Sequence, residues 1–548
     1  MIYYSIVQKK YISYFPEDYS PSKSQIKLIN GVEQAFTRGN KFVICCAPTG
    51  TGKSFLAQTL ANVSSDPTKN YIDLINSYDA FRQDYSGNYI HEPGLICEPA
   101  FGTFALTITK SLQDQYLKLF KSTKILKGKS NYQCAVDTNY DVETAPCVLT
   151  PSIKEDCWQK NLCPYYTARN KALTSKFAVL NYKMFLSLPS HVKRKSFLIC
   201  DEASELEDEI AMRFTAFIDY EKLKNYGIIV SPLVTEFKPK ARVWLYNLIF
   251  QISEILAATI NRHNKKKSSL SHPDKIKIVY LKNLYNLLTK IESLWDDCEF
   301  VIEKNANSVT FTPLKVDKLS KYIFNYGEHV LLMSATIIDH KNFAKTLGIE
   351  KYEYVEVDSS FEPTKSPIYV TSKNKLNYKN IKFELPEIVS KINKICTHHK
   401  DQKGIIHTHT NEITTYLKSR LEGERFLYRT EGYKNEDILQ NHLNSPNSTI
   451  LVSPSLSFGI DLKDDLARFQ IIVKLPFLPL SNKRIKKLYQ IDSDWYINKM
   501  LNALVQACGR ATRSKQDYAV TYILDGNTVE ILKKYRSRLP KYFLDRIH

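Results

Sequence analysis

Residues 41–54 read KFVICCAPTGTGKS, and no other stretch of the 548-residue chain restricts the possible folds so tightly. Phe42 to Cys46 is a short unbroken apolar run, the pattern of a parallel strand covered on both faces. A glycine-containing turn follows, and Phe55 to Leu60 then reads as helix. Strand, glycine loop and helix in that order form the context of a phosphate loop. Gly50 and Gly52 let the backbone curl until its N–H groups face one point. The helix N-terminus adds partial positive charge at the same point. Thr49, Gly50, Thr51 and Gly52 are therefore expected to wrap the phosphates of ATP, with Lys53 on the β- and γ-phosphates and Ser54 on Mg²⁺. Ala47 stands where the general pattern has its first glycine, giving the variant A-x-x-G-x-G-K-S. A chance glycine-rich turn is the alternative, and the flanking strand and helix argue against it.

Residues 196–204 read SFLICDEAS. A second apolar run, Phe197 to Cys200, ends in Asp201-Glu202. Open α/β sheets bind ligands beyond the C-terminal ends of their strands, which is where this acidic pair falls. Asp201 is expected to hold Mg²⁺ through water, and Glu202 to orient or deprotonate the attacking water. Acidic residues also favour helix N-termini, so the pair acquires its meaning from the phosphate loop upstream.

Three later segments extend the pattern. LLMSATI (331–337) is an apolar strand ending in Ser334-Ala335-Thr336, and ILVSPSLSFGIDL (450–462) is a strand followed by a loop with Gly459 and Asp461. QACGRATRS (506–514) holds Gln506, Gly509, Arg510 and Arg513. If Ala503 to Arg513 is helical, Gln506, Arg510 and Arg513 share one face. Two guanidiniums aimed together suit phosphoryl transfer, where charge collects on the γ-phosphate oxygens. In isolation, a solvated basic face is the commoner meaning of such a pair.

Between the acidic pair and LLMSATI, Leu245, Leu248, Ile249, Ile252, Leu256 and Ile260 recur at helical spacing, as do Ile278, Leu281, Leu284, Tyr285, Leu288 and Ile291. The polar, basic run 261–275 between them reads as the loop of a helical hairpin. Glu299 to Pro313 reads as a β-hairpin leading back.

Cys134, Cys147, Cys157 and Cys163 are separated by 12, 9 and 5 residues in polar surroundings. Four thiolates can close a tetrahedral metal site. The spacing fits neither a CxxC zinc ribbon nor a ferredoxin run, so it leaves the metal unnamed. Cys45, Cys46 and Cys200 fall in core strands and need no special role. Eleven cysteines, an odd number, in a long chain argue against a disulfide framework.

Lys and Arg total 76 against 57 Asp and Glu, a net charge of +19. Such an excess favours a polyanionic partner without separating DNA from RNA. The N-terminus MIYYSIVQKK lacks the features of a signal peptide. The longest apolar-rich stretch, Val243 to Ile260, is interrupted by Asn247, Gln251, Ser253 and Glu254, so no membrane-spanning helix and a cytoplasmic location are expected. A chain of this length predicts about three or four compact units.

In order along the chain, APTGTGKS, DEAS, MSAT, SFGIDL and QACGRATR resemble superfamily 2 helicases of the XPD/DinG-like branch. TITKSLQDQY (107–116), KGKSNYQC (127–134), CPYYTAR (163–169), NYKMFL (181–186) and KLPFLPL (474–480) resemble the same branch, so the likeness covers almost the whole chain. The resemblance implies an α/β protein with two RecA-like parallel-sheet lobes and ATP between them. It also implies a small iron–sulfur domain and a mainly helical arch domain inserted in the first lobe. On this basis lobe 1 comprises residues 1–120, 175–218 and 315–360. The cluster domain comprises 121–174, the arch 219–314 and lobe 2 361–548.

The implied function is ATP-dependent 5′→3′ DNA unwinding by a monomer acting on single-stranded and forked DNA. An ATP-driven translocase or remodeller without strong unwinding is one alternative, and a nucleotide-gated nucleic-acid scaffold another. By resemblance, Arg510 and Arg513 are arginine fingers, Gln25 reads the base, and Gly459 and Asp461 meet the nucleotide. Cys134, Cys147, Cys157 and Cys163 hold a [4Fe–4S] cluster on the same ground. Two departures stand out. Ser204 replaces the family's usual His, which puts coupling rather than hydrolysis in question. Residues 64–103 form a longer gap than usual, carrying Tyr71, Tyr78, Tyr85 and Tyr89, and read as a surface elaboration.

Overall fold

Seven parallel strands build the first sheet, in the order β10-β1-β9-β5-β2-β4-β3. They are β1 (Phe42–Cys46), β2 (Thr103–Thr107), β3 (Lys124–Leu126), β4 (Phe177–Asn181), β5 (Lys195–Asp201), β9 (Gly327–Ser334) and β10 (Glu353–Glu356). The computed structural model describes the chain apart from residues 1–9, 49, 65–100, 149–152, 154–155, 158–159, 161, 232–237, 267–271, 360, 373, 378, 429–434, 455–461, 463 and 510–516. The long gap after the phosphate loop, with its four tyrosines, thus lies mostly outside the described residues.

Strand geometry sends successive side chains to opposite faces, and both faces of this sheet are covered. Ile44, Leu106, Leu198 and Leu332 pack into one core. Val43, Ala105, Ile199 and Leu331 pack into the other, with Leu56 and Leu60 of the helix after β1. That double burial is the reason these strands read as unbroken apolar runs. The covering helices include α1 (Lys23–Thr37), α2 (Lys53–Val63) and α3 (Lys110–Leu119). Ser22 and Gln25 start α1 with a reciprocal capping box.

The cysteine-bearing segment leaves this lobe after β3 and returns through α4 (Pro164–Thr174), with Pro164 in its first turn. After β5 and α5 (Leu206–Arg213), the chain departs again through β6 (Ala216–Asp219). It forms α6 (Lys238–Lys266) and α7 (His272–Ser293), then the hairpin β7 (Phe300–Asn305) and β8 (Ser308–Pro313). The three strands make a small antiparallel sheet, β6-β8-β7. Leu245, Leu248, Ile252 and Leu256 of α6 pack against Ile278, Leu281, Leu284 and Leu288 of α7. The helices extend well into the stretch 261–275 that polarity marks as loop, because Lys and Asn are tolerated on an exposed helical face. By length and composition alone Lys238–Arg262 is apolar enough to cross a membrane, a test that helices packed in a protein core also pass.

The second sheet has six parallel strands in the order β11-β16-β15-β12-β14-β13. They are β11 (Ile368–Val370), β12 (Gly404–His407), β13 (Phe426–Tyr428), β14 (Ile450–Ser453), β15 (Phe469–Ile472) and β16 (Val520–Ile523). α8 (Ile381–His398) packs on one face. α9 (Lys483–Ile491) and α10 (Ser493–Cys508) follow β15, and Leu501, Leu504 and Cys508 of α10 enter a core with Ile472 and Ile523.

Candidate nucleotide site and lobe interface

β9 lies between β1 and β5, in a register that pairs Cys46 with Ser334 and Asp201 with Met333. The phosphate loop, the Ser-Ala-Thr turn and the acidic pair therefore leave the sheet side by side at its C-terminal edge. Gly50 and Gly52 both have φ of 81°, the left-handed region glycine enters without penalty. Gly52 is also where the loop becomes α2. A side chain there would collide with the Gln25 carboxamide, which lies directly against the loop. Thr51 Oγ1 donates to the Pro48 carbonyl at 2.7 Å, and Lys53 Nζ donates to the Ala47 carbonyl at 3.3 Å. The ammonium is thus folded over the loop it would serve.

Asp201 is buried at the end of β5. Burial, and then the charge of Glu202, push its carboxyl up to about 6 against the opposing pull of Lys53 and Tyr116. The Tyr116 hydroxyl donates to Asp201 Oδ2 at 3.0 Å and also meets the Ser54 hydroxyl. It ties together the two side chains expected at Mg²⁺. The Tyr182 hydroxyl donates to the Asp201 carbonyl oxygen at 3.1 Å. Glu202 adopts φ of 51°, unusual for a side chain larger than Asn, so its backbone is held in a sparsely populated conformation beside the phosphate loop. The donor set of Ser54 and Asp201 beside a glycine loop is hard oxygen chemistry, which suits Mg²⁺.

Ser204 forms one link between the lobes. Its Oγ is 3.0 Å from Ser334 Oγ and accepts from Gln506 Nε2 at 3.0 Å. One hydroxyl thus joins the acidic strand, the Ser-Ala-Thr turn and α10 of lobe 2. Nearby, the Ile338 N–H donates to Asn502 Oδ1 at 3.2 Å, and Asn342 Nδ2 donates to Asp492 Oδ2 at 3.1 Å.

Of the residues expected at this site, Gln25, Gly50, Thr51, Gly52, Lys53, Ser54, Asp201 and Glu202 lie at one edge of lobe 1, and Gln506 reaches it from lobe 2. Thr49, Gly459, Asp461, Arg510 and Arg513 lie outside the described residues. The helical face proposed for Gln506, Arg510 and Arg513 lies partly outside the described residues. α10 ends at Cys508, with Gly509 as its C-cap, so the described helix carries Gln506 alone. Tyr116 and Tyr182 escaped the sequence reading. A tyrosine in a polar helix carries no sign that its hydroxyl faces a carboxylate 85 residues away.

In the cysteine segment, Cys134 and Cys157 are buried while Cys147 and Cys163 are half-buried. The polar surroundings therefore do not keep these thiols in solvent. Burial raises the Cys147 thiol, and the charges of Cys163, Cys157 and Cys134 raise it further. Cys157 is raised by burial and by Cys134 and Cys163. Thiols that feel one another's charge in this way are the residue type a thiophilic metal takes as ligands. However, no three His, Cys, Asp or Glu side chains among the described residues are gathered closely enough to hold an ion.

A phosphate loop on one parallel sheet, facing a helix carried by a second, defines the two-lobed helicase fold. The Helicase C-terminal domain family matches residues 406–546. ATP-dependent DNA helicase YoaA of Haemophilus influenzae is 24% identical over 93% of this chain and 92% of its own length. ATP-dependent DNA helicase CHL1 of Kluyveromyces lactis is 22% identical over 71% of this chain, which spans 59% of that relative. The solved structure described as "XPD_Helicase" superposes with a TM-score of 0.61 at 17% identity, over 94% of this chain and 96% of its own. The chain is thus similar to these helicases in sequence along most of its length and shares the two-lobed fold of the XPD structure.

Proposed function

We propose that this chain is an ATP-dependent DNA helicase that moves 5′→3′ along single-stranded DNA and opens forked duplexes, working as a monomer in the cytoplasm. The observation that carries the reading is the Ser204 hydroxyl, which connects the acidic strand of lobe 1 to Gln506 of lobe 2. A motor needs hydrolysis and lobe movement to be linked, and a serine makes that link here in place of the family's histidine. This favours a working motor over a nucleotide-gated scaffold. The relatives' names, YoaA and CHL1 helicases, support DNA as the substrate, as does the net charge of +19.

In this reading Thr49, Gly50, Thr51 and Gly52 cradle the phosphates, and Lys53 leaves the Ala47 carbonyl to meet the γ-phosphate. Ser54 and Asp201 would hold Mg²⁺, which would neutralise charge on the phosphates. Glu202 orients the attacking water and takes its proton. Gln25 meets the base, while Gly459, Asp461, Arg510 and Arg513 serve the nucleotide from lobe 2. Cys134, Cys147, Cys157 and Cys163 would hold a [4Fe–4S] cluster, which would brace residues 121–174.

The test is ATP turnover with and without single-stranded DNA, followed by strand separation on a fork. Lys53→Ala and Glu202→Gln should each abolish turnover in a folded protein. Near-normal turnover in either would sink the assignment, and DNA-stimulated turnover without strand separation would leave a translocase.

A further inference from the structure

Lobe 1 and lobe 2 also meet three residues beyond Ser204. Glu207 of α5 is buried, and its carboxylate receives three donors from lobe 2. Arg484 Nη2 of α9 lies 2.8 Å from Oε1, while Trp495 Nε1 and Lys499 Nζ of α10 lie 2.8 and 3.0 Å from Oε2. Lys499 also pairs with Asp208 at 2.7 Å, and Arg484 approaches Asp208 at 3.8 Å. Two acids of lobe 1 thus face two bases of lobe 2. Burial alone would push the Lys499 ammonium down, but Asp208 and Glu207 reverse this and hold it above its ordinary range. Arg484 Nε further donates to the Pro313 carbonyl at 2.9 Å, and the Lys483 N–H donates to Glu303 Oε1 at 2.8 Å, so the root of the helical insert is tied to the same spot.

The two contacts that α10 makes with the Ser204–Asp208 stretch differ in kind. At Glu207 they are charged and buried, and breaking one partner away strands the other's charge. At Ser204 there is one neutral hydrogen bond from Gln506, which exchanges readily for water. A helix rises about 1.5 Å per residue, so Trp495 and Gln506 lie roughly 16 Å apart along α10. A turn of about 10° at the Glu207 end therefore carries the Gln506 end about 3 Å, enough to make or break its bond to Ser204.

We propose that Glu207 is a positioning residue for the ATP site: its ion cluster with Arg484 and Lys499 is the fulcrum on which α10 turns, and the Gln506 end is the moving arm. The proposal rests on the motor reading above. It assigns the cluster a task that apolar packing would not perform, because the fulcrum must stay stronger than the contact that moves.

The experiment compares native protein, Glu207→Gln and the double variant Glu207→Gln/Lys499→Met. It reads melting temperature, DNA-stimulated ATP turnover, and amide hydrogen exchange along α10 with and without a non-hydrolysable ATP analogue. Glu207→Gln alone leaves the cations short of charge and should melt early. The double variant removes the stranded ammonium and should recover most of the lost melting temperature. Its kcat should nevertheless stay about tenfold or more below native, with KM for ATP within about twofold, because no phosphate-loop donor is touched. In native protein the analogue should change exchange over residues 501–508 and leave 495–499 unchanged; in the double variant both halves should respond. Recovery of kcat together with melting temperature would reduce the cluster to structural glue and overturn the proposal. So would native α10 responding uniformly along its length. A native chain that binds no nucleotide would instead overturn the motor reading, and the fulcrum with it.

Discussion

Ser204→Ala removes one oxygen and two contacts. Gln506 Nε2 and Ser334 Oγ each lose a partner at 3.0 Å. A neutral hydrogen bond contributes about 0.5–1.5 kcal/mol net, so the pair is worth about 1–3 kcal/mol. Ser334 is fully buried and keeps only a weak contact with the Thr336 N–H at 3.5 Å, so it recovers little. Gln506 is half-exposed and can turn to water, which places the cost toward the lower end, about 1–2 kcal/mol. If the Gln506 contact forms only when the lobes close for hydrolysis, that cost falls on the closed state alone. At 1.36 kcal/mol per decade it lowers DNA-stimulated kcat by about 5- to 30-fold. KM for ATP should stay within about twofold, since the phosphate loop keeps all its donors. The assay is steady-state ATP turnover at saturating single-stranded DNA, with a melting curve to show the variant is folded. A folded variant with kcat within twofold of native would refute the idea that this serine carries the coupling. A KM rising in step with the fall in kcat would show that Ser204 shapes the nucleotide pocket instead.

Because burial and Glu202 hold Asp201 near 6, Mg²⁺ binding at this site should fall away as pH drops through about 6, measured by metal titration at fixed pH. The sign follows from the raised value: in metal-free protein the protonated carboxyl contributes stability that is complete below the ordinary carboxylate range and is lost as pH rises through about 6. Tyr116→Phe deletes the hydrogen bond that favours the carboxylate, so the midpoint for Mg²⁺ binding should move upward by about one unit; an unmoved or lowered midpoint would contradict the geometry. Protein prepared without oxygen should contain about four iron atoms per chain, and Cys157→Ser should bleach it while ATP binding survives. Stoichiometric zinc without sulfide would replace the cluster with a different metal and leave the motor reading in place.

What the sequence determined by itself was local. Phe42 to Cys46 and Phe197 to Cys200 had to be buried strands, because an unbroken apolar run that short is satisfied only when both faces are covered. Gly50 and Gly52 marked a tight turn between strand and helix, because glycine alone enters positive φ without penalty, and both adopt it. The facing stripes of Leu and Ile between 245 and 291 had to pack as a helical pair. Each inference needed only neighbours within a few turns or strand lengths. It gave less at element ends, where the stop of α10 at Cys508 depends on the Gly509 cap rather than on a repeating pattern.

The tertiary structure decided which distant polar groups meet. Tyr116 reaches Asp201 because β5 lies next to β2, the strand that leads into α3. Gln506 reaches Ser204 across 302 residues because a second sheet presents α10 to the edge of the first. Glu207 reads in the sequence as one more acid at a helix start, yet it is buried beneath two cations of the other lobe. No periodicity announces such pairs. An apolar stripe is selected by the solvent it avoids, which every helix senses alike, whereas a buried charge depends on the one partner that the packing of two lobes brings within 3 Å.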